Sequence, residues 1–161
     1  MSRPLQVAVI GKGRPDEELA SIAEEVGTRL AQAGAVVVCG GLGGVMEATS
    51  RGASEAGGTA IGIVPTEDPT EANPHCTYVV ATGVGYGRNL AVVASGDVVI
   101  AIGGEWGTLS EIAHARQFGR PVIALSTWTV SPHTPLADGD GIEVATDAAE
   151  AVELALASTE S

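Results

Sequence analysis

Residues 97–108 read Asp97-Val98-Val99-Ile100-Ala101-Ile102-Gly103-Gly104-Glu105-Trp106-Gly107-Thr108. The unbroken apolar, largely β-branched run suits a central parallel strand covered on both faces, and the glycines after it suit a tight turn into a helix. The same succession recurs along the chain. Working towards the N-terminus, residues 97–102 follow a helix over 85–95 and a short strand within 76–82. The three prolines and acidic residues of 65–75 make that stretch a loop. Before it lie a strand over 59–64, a helix ending near Ala56, a strand over 35–39, and a helix over 16–33 after a first strand over 5–10. Pro15, Asp16 and Glu17 suit the opening of that first helix, and Gly34 suits its C-cap. Towards the C-terminus come a helix ending near Phe118-Gly119, a strand over 121–125, and a loop over 126–141. A short strand over 142–145 and an amphipathic helix from Thr146 to about Ala157 close the chain. Alternation of this kind predicts one Rossmann-like three-layer α/β/α sandwich with a mostly parallel sheet, a single nucleotide-binding domain spanning residues 1–161.

Composition narrows the function. Of 161 residues 45% are apolar and 17% charged, enough for a sizeable core. Eight Lys and Arg against 20 Asp and Glu give a formal charge of −12, which repels nucleic-acid phosphates and argues against a DNA- or RNA-binding module. No apolar run approaches the roughly 18–20 residues of a membrane helix, and the first residues lack the layout of a signal peptide, so the expectation is a cytoplasmic protein. Cys39 and Cys76 have no CxxC spacing, and His75 beside Cys76 lacks a nearby third ligand; no disulfide framework or metal site is expected.

Glycine numbers 22, about 14% of the chain and roughly twice ordinary usage. It clusters after the strands, at Gly11 and Gly13, Gly40 to Gly44, Gly83 to Gly87, and Gly103 to Gly107. In a parallel sheet these loops converge at the carboxyl ends of the strands, where backbone N–H groups and helix N-termini hold anions. The cluster pattern therefore points to a phosphate or nucleotide site. Gly11-Lys12-Gly13-Arg14-Pro15 breaks the GxGxxG fingerprint of dinucleotide-dependent dehydrogenases and also lacks P-loop spacing.

Two of these loops carry a resemblance. Gly40-Gly41-Leu42-Gly43-Gly44-Val45-Met46-Glu47-Ala48 resembles GGGxGVMEA, and Gly103 to Glu111 (GGEWGTLSE) resembles PGGxGTxxE. Both motifs belong to the Lonely Guy (LOG) superfamily, once labelled lysine decarboxylase-like, which contains nucleoside 5′-monophosphate phosphoribohydrolases and molybdenum cofactor carriers. The resemblance implies a phosphate held by backbone N–H groups of Gly43 to Met46 and of Gly104 to Thr108, with Gly41 and Gly103 in the same binding loops and Arg88 and Glu111 matching the hydrolases' catalytic pair. It also implies a homodimer or larger assembly. Three departures bring the chain nearer the carrier branch: Gly103 replaces the motif's proline, Glu105 its second glycine, and Asn89 the lysine after the arginine. The two functional expectations are hydrolysis of a nucleotide's N-glycosidic bond, or turnover-free binding of a pterin phosphate, the molybdenum cofactor or an oxyanion. No cofactor is required for the first. Decarboxylation by pyridoxal phosphate needs a Schiff-base lysine, and the only lysine, Lys12, lies in a glycine turn.

Each candidate has a structural alternative. Arg88 falls at a helix start, where a cation opposes the helix dipole by about 0.3–1 kcal/mol unless an anion is present; the alternative is a surface ion pair. Glu111 closes Thr108-Leu109-Ser110-Glu111, which is also the pattern of a capping box. Glu47 suits the first turn of its helix for dipole reasons alone. Lys12, Asn89 and Glu105 are candidate polar contacts to a ligand. Trp106 and Tyr86 sit in glycine loops, placed either to stack on a base or pterin or to cover a core edge.

Overall fold

The 97–108 stretch occupies the middle of the computed structural model, which describes residues 2–160. In chain order the strands are β1 (Gln6–Gly11), β2 (Val36–Cys39), β3 (Thr59–Val64), β4 (Tyr78–Ala81), β5 (Val98–Ile102), β6 (Val122–Leu125) and β7 (Glu143–Ala145). The helices are α1 (Glu17–Gln32), α2 (Val45–Glu55), α3 (Arg88–Ser95), α4 (Trp106–Gln117) and α5 (Ala148–Ala157). All seven strands pair in parallel in the order β4-β3-β2-β1-β5-β6-β7, a Rossmann-like α/β/α arrangement.

Alternation along the strands divides the core into two layers. Val7, Val9, Val98, Ile100 and Ile102 face α1, α2 and α5, while Ala8, Ile10, Val99 and Ala101 face α3 and α4. Every residue of β5 is buried, as its composition predicts. Small residues let the helices of the first layer meet: a Cβ on Gly27 of α1 would stand 2.1 Å from Thr49 O, and one on Gly52 of α2 would stand 2.0 Å from Glu24 O. The α1 N-cap is Asp16, which accepts from Leu19 N at 2.8 Å.

Most strand ends move by one or two residues, and three further boundaries shift for a local reason. The helix expected from Gly85 opens as a 3₁₀ turn over Gly85–Gly87 before α3, because Gly85 takes φ +60°. The last helix begins at Ala148 rather than Thr146, since Asp147 caps it by accepting from Glu150 N at 2.8 Å. β7 is limited to Glu143–Ala145, the part that pairs with Ile123–Leu125.

Connections leaving β1 run to one side of the sheet and those leaving β5 to the other. The order reverses between these neighbours, and a crevice opens beyond their carboxyl ends.

Candidate functional site

Four chain segments meet at that crevice. β1 ends in Gly11, β5 ends at Ile102 before Gly103-Gly104, β2 ends before Gly40, and α3, packed over β1 to β3, brings Arg88 to Gly40 O. The turns are tied to one another through their backbones. Lys12 N donates to Ile102 O at 3.1 Å, Val45 N to Lys12 O at 3.0 Å, and Gly103 N to Leu125 O at 3.1 Å. Gly44, at φ +70°, makes this possible: a Cβ there would lie 2.4 Å from Gly13 O and 2.5 Å from Lys12 O.

The crevice holds a cavity of about 590 Å³ lined by Gly11, Gly13, Arg14, Tyr86, Glu105, Gly107, Thr108 and Glu111. Beneath it a recess of about 70 Å³ is lined by Val9, Ile10, Gly11, Gly40, Met46, Arg88 and Glu111. A third cavity of about 360 Å³, on the other side of the Gly103–Glu105 turn, carries Lys12 with Asp16, Glu18 and Ser126.

Arg88 is 9% exposed. One terminal nitrogen donates to Asn89 Oδ1 and the other to Gly40 O at 3.2 Å, and the buried Nε has no partner. A guanidinium carries five N–H donors, so this cation retains unspent hydrogen-bonding capacity in a desolvated place, which an anionic ligand would satisfy. Burial lowers its pKa from the ordinary arginine value, and Glu111 and Cys39 oppose that effect. Glu111 is raised to about 7, chiefly by burial, with Arg88 pulling the other way. A carboxyl poised near neutrality beside a buried cation is able to hold a proton or release it.

Several expected roles change. Thr108-Leu109-Ser110-Glu111 is not a capping box: α4 starts at Trp106 with Glu105 as N-cap, so Glu111 falls in its second turn and lines both cavities. Thr108 is buried under Gly104, whose own Cβ would stand 2.2 Å from Thr108 Oγ1. Val45 N and Gly103 N are consumed by the inter-loop bonds above, and Gly41 N donates to Cys39 Sγ at 3.4 Å, so these three amides brace the turns instead of facing a ligand. Asn89 spends its Oδ1 on Arg88 and thereby orients the guanidinium. Gly43, Met46 and Glu47 stay at the opening of α2, where Glu47 is the acidic residue of the first turn. Trp106 is 75% exposed and packs on Trp128, ring centroids 5.0 Å apart, outside the cavity lining; Tyr86 does line it.

The structure adds three contributors. Arg14, in the turn before α1, lines the larger cavity. Thr127 Oγ1 donates to Gly103 O, and Trp128 Nε1 donates to Glu105 O at 3.1 Å, so the loop after β6 pins the Gly103–Glu105 turn. The glycines next to Arg14 were a signal for it; nothing in the local pattern of 126–141 marks Thr127 and Trp128. Among the described residues no three His, Cys, Asp or Glu side chains converge as a metal site, and no helix is long and apolar enough to cross a membrane.

This fold and this glycine-lined crevice define a family. The chain belongs to the SLOG cluster4 family, whose model matches residues 4–154. A protein of Archaeoglobus fulgidus with no assigned function is 43% identical over 121 residues, 75% of this chain and 80% of that one. The molybdenum cofactor binding protein of Rippkaea orientalis superposes with a TM-score of 0.88 at 30% identity, covering 100% of both chains. The molybdenum cofactor carrier protein of Chlamydomonas reinhardtii gives a TM-score of 0.83 at 31% identity, over 96% of this chain and 98% of that one.

Proposed function

We propose that this chain binds a small phosphorylated ligand in the crevice beyond β1 and β5, and that it acts as a carrier of a pterin phosphate of the molybdenum cofactor type. The observation carrying this reading is Arg88, a buried cation with an unpartnered Nε that lines a recess of about 70 Å³, which shares Gly11 and Glu111 with the cavity of about 590 Å³. End-to-end likeness to two proteins named for binding or carrying that cofactor supports the choice of ligand. Glu105, standing where the hydrolases of the superfamily have glycine, favours binding over phosphoribosyl chemistry. In this reading Arg88 and the first-turn amides of α4 take the phosphate. Arg14 and Tyr86 lie at the mouth of the cavity, beside the rest of the ligand.

One observation favours turnover instead. Glu111 at about 7, beside Arg88, is suited to stabilising positive charge at an anomeric carbon when ionised, or to protonating a leaving base when neutral. That second reading is a nucleoside 5′-monophosphate phosphoribohydrolase. One preparation tests both. Protein purified from a cofactor-synthesising host is denatured and assayed for oxidised pterin fluorescence and molybdenum, and the same batch is incubated with nucleoside 5′-monophosphates and analysed for free base. Co-purified pterin without base release is the expected result. Base release abolished by Glu111→Gln would replace the carrier by the hydrolase. The chain is further proposed to self-associate in the cytoplasm; light scattering at the 16.1 kDa of one chain would overturn the first part.

A further inference from the structure

Cys39 and Cys76 are 37 residues apart in sequence, and the fold brings their sulfurs to one place beneath the glycine turn. Cys39 Sγ lies 3.4 Å from Ser50 Oγ, which lies 3.9 Å from Cys76 Sγ, so one hydroxyl touches both thiols. The sheet explains the meeting. Cys39 pairs with Gly62 across β2 and β3, and a Cβ on Gly62 would stand 2.6 Å from Cys76 Sγ, so the glycine leaves the space that the second sulfur fills. Cys39 is fully buried, whereas Cys76 is partly open to solvent.

The surroundings favour one thiolate in the pair. Gly41 N–H points at Cys39 Sγ, and Arg88 lies close enough to add a favourable charge. With the Cys76 thiol as the largest contributor, these interactions lower Cys39 and push Cys76 up. The same region is joined to the candidate site: Asn73, three residues before Cys76, donates from its backbone to Gly41 O at 2.8 Å and from Nδ2 to Leu42 O at 2.9 Å.

We infer that Cys39 and Cys76 form a reversible intramolecular disulfide that fastens the Gly40–Gly44 turn to the segment before β4. Hydrogen peroxide is a sufficient oxidant. Peroxide reaches the pair at Cys76, the sulfur open to solvent: its thiol gives up its proton as the sulfur attacks one peroxide oxygen, the O–O bond breaks, and the departing hydroxide takes a proton to become water. The resulting sulfenic acid is attacked at sulfur by the second thiol; the S–O bond breaks, the S–S bond forms, and a second water leaves. Two thiols are oxidised by two electrons, and one peroxide is reduced to two waters. A dithiol reductant reverses the change. The inference does not depend on which ligand the crevice takes.

The test uses the full chain, reduced and then exposed to graded hydrogen peroxide, with intact mass and peptide mapping after blocking free thiols. The expected product is a monomer lighter by two hydrogens, containing one cross-linked peptide pair with Cys39 and Cys76, and restored by dithiothreitol. Cys76→Ser, at the more open position, is expected to fold and to lose the cross-link. Hydrogen exchange at residues 40–44 is expected to slow in the oxidised form. The inference is overturned if wild type accumulates oxygen adducts without the cross-link, if the bond forms only between two chains, or if both thiols stay reduced while glutathione in the same tube oxidises. Equal exchange at 40–44 in both states would overturn the fastening of the turn.

Discussion

Arg88 and Glu111 line the same recess under the glycine turns from two different helices, with no direct ion pair between them. Each perturbs the other. The carboxylate sustains the buried guanidinium, and the guanidinium limits how far burial raises the carboxyl. A charge pair left open at the floor of a cavity leaves both groups with bonding capacity for something else.

That capacity makes Arg88 the strongest determinant of binding. Replacing it with Gln removes the charge and the terminal nitrogens that donate to Asn89 Oδ1 and Gly40 O. Loss of a charge-assisted hydrogen bond costs about 1.5–3 kcal/mol, so affinity for a phosphorylated ligand should fall by roughly 10- to 150-fold. Isothermal titration with a pterin phosphate or nucleoside monophosphate, beside a circular dichroism spectrum to check folding, measures this. Unchanged affinity would remove Arg88 from the site.

Glu111 makes stability depend on pH in a defined sense. Its ordinary value is 4.5 and its folded value about 7, so between these the native state holds a proton that the unfolded state has released. Stability contributed by this group is complete below about 4.5 and is lost as pH rises through 7. Glu111→Gln, which cannot ionise, should therefore be more stable than wild type by about 3 kcal/mol at alkaline pH and close to it in acid. Urea midpoints at both ends of that range check the sign.

Gly44 is expected to tolerate no side chain. Gly44→Ala meets two backbone carbonyls at about 2.4–2.5 Å and keeps φ +70°. The turn must shift, breaking the Val45–Lys12 bond, at a cost of more than about 2 kcal/mol. A thermal melt reads the loss, and a variant melting with wild type would show that the turn is plastic.

Trp128→Phe separates ring packing from hydrogen bonding. The phenyl ring retains contact with Trp106, but the donor to Glu105 O disappears. The expected result is a stability loss of about 0.5–1.5 kcal/mol together with faster hydrogen exchange at Gly104 to Gly107. Stability lost without a change in local exchange would mean that Trp128 does not pin the turn.

Much of this molecule was legible locally. Strand β5, with its five buried residues, follows from an apolar run that no amphipathic element would carry, and the alternation of apolar runs with glycine turns is enough to imply a parallel sheet. Arg88 and Glu111 were singled out by their positions in the resemblance, and the fold places both at one recess. The capping-box reading of Thr108 to Glu111 failed for a local reason: Gly103 and Gly104, at φ +58° and +106°, turn the chain early and let the helix start at Trp106.

What the sequence determined by itself is therefore the order of elements and the edge of the sheet at which glycine loops gather, because periodicity and turn chemistry act over a few residues. Only the tertiary structure decided which amides remain free, since Val45 and Gly103 find their acceptors on other segments. It alone oriented Arg88 through Gly40 O, brought Thr127 and Trp128 to the turn, and joined Cys39 to Cys76 over Gly62. Those contacts depend on strand order and register, and a sheet whose order reverses at β1 and β5 sets side by side residues that no local pattern relates.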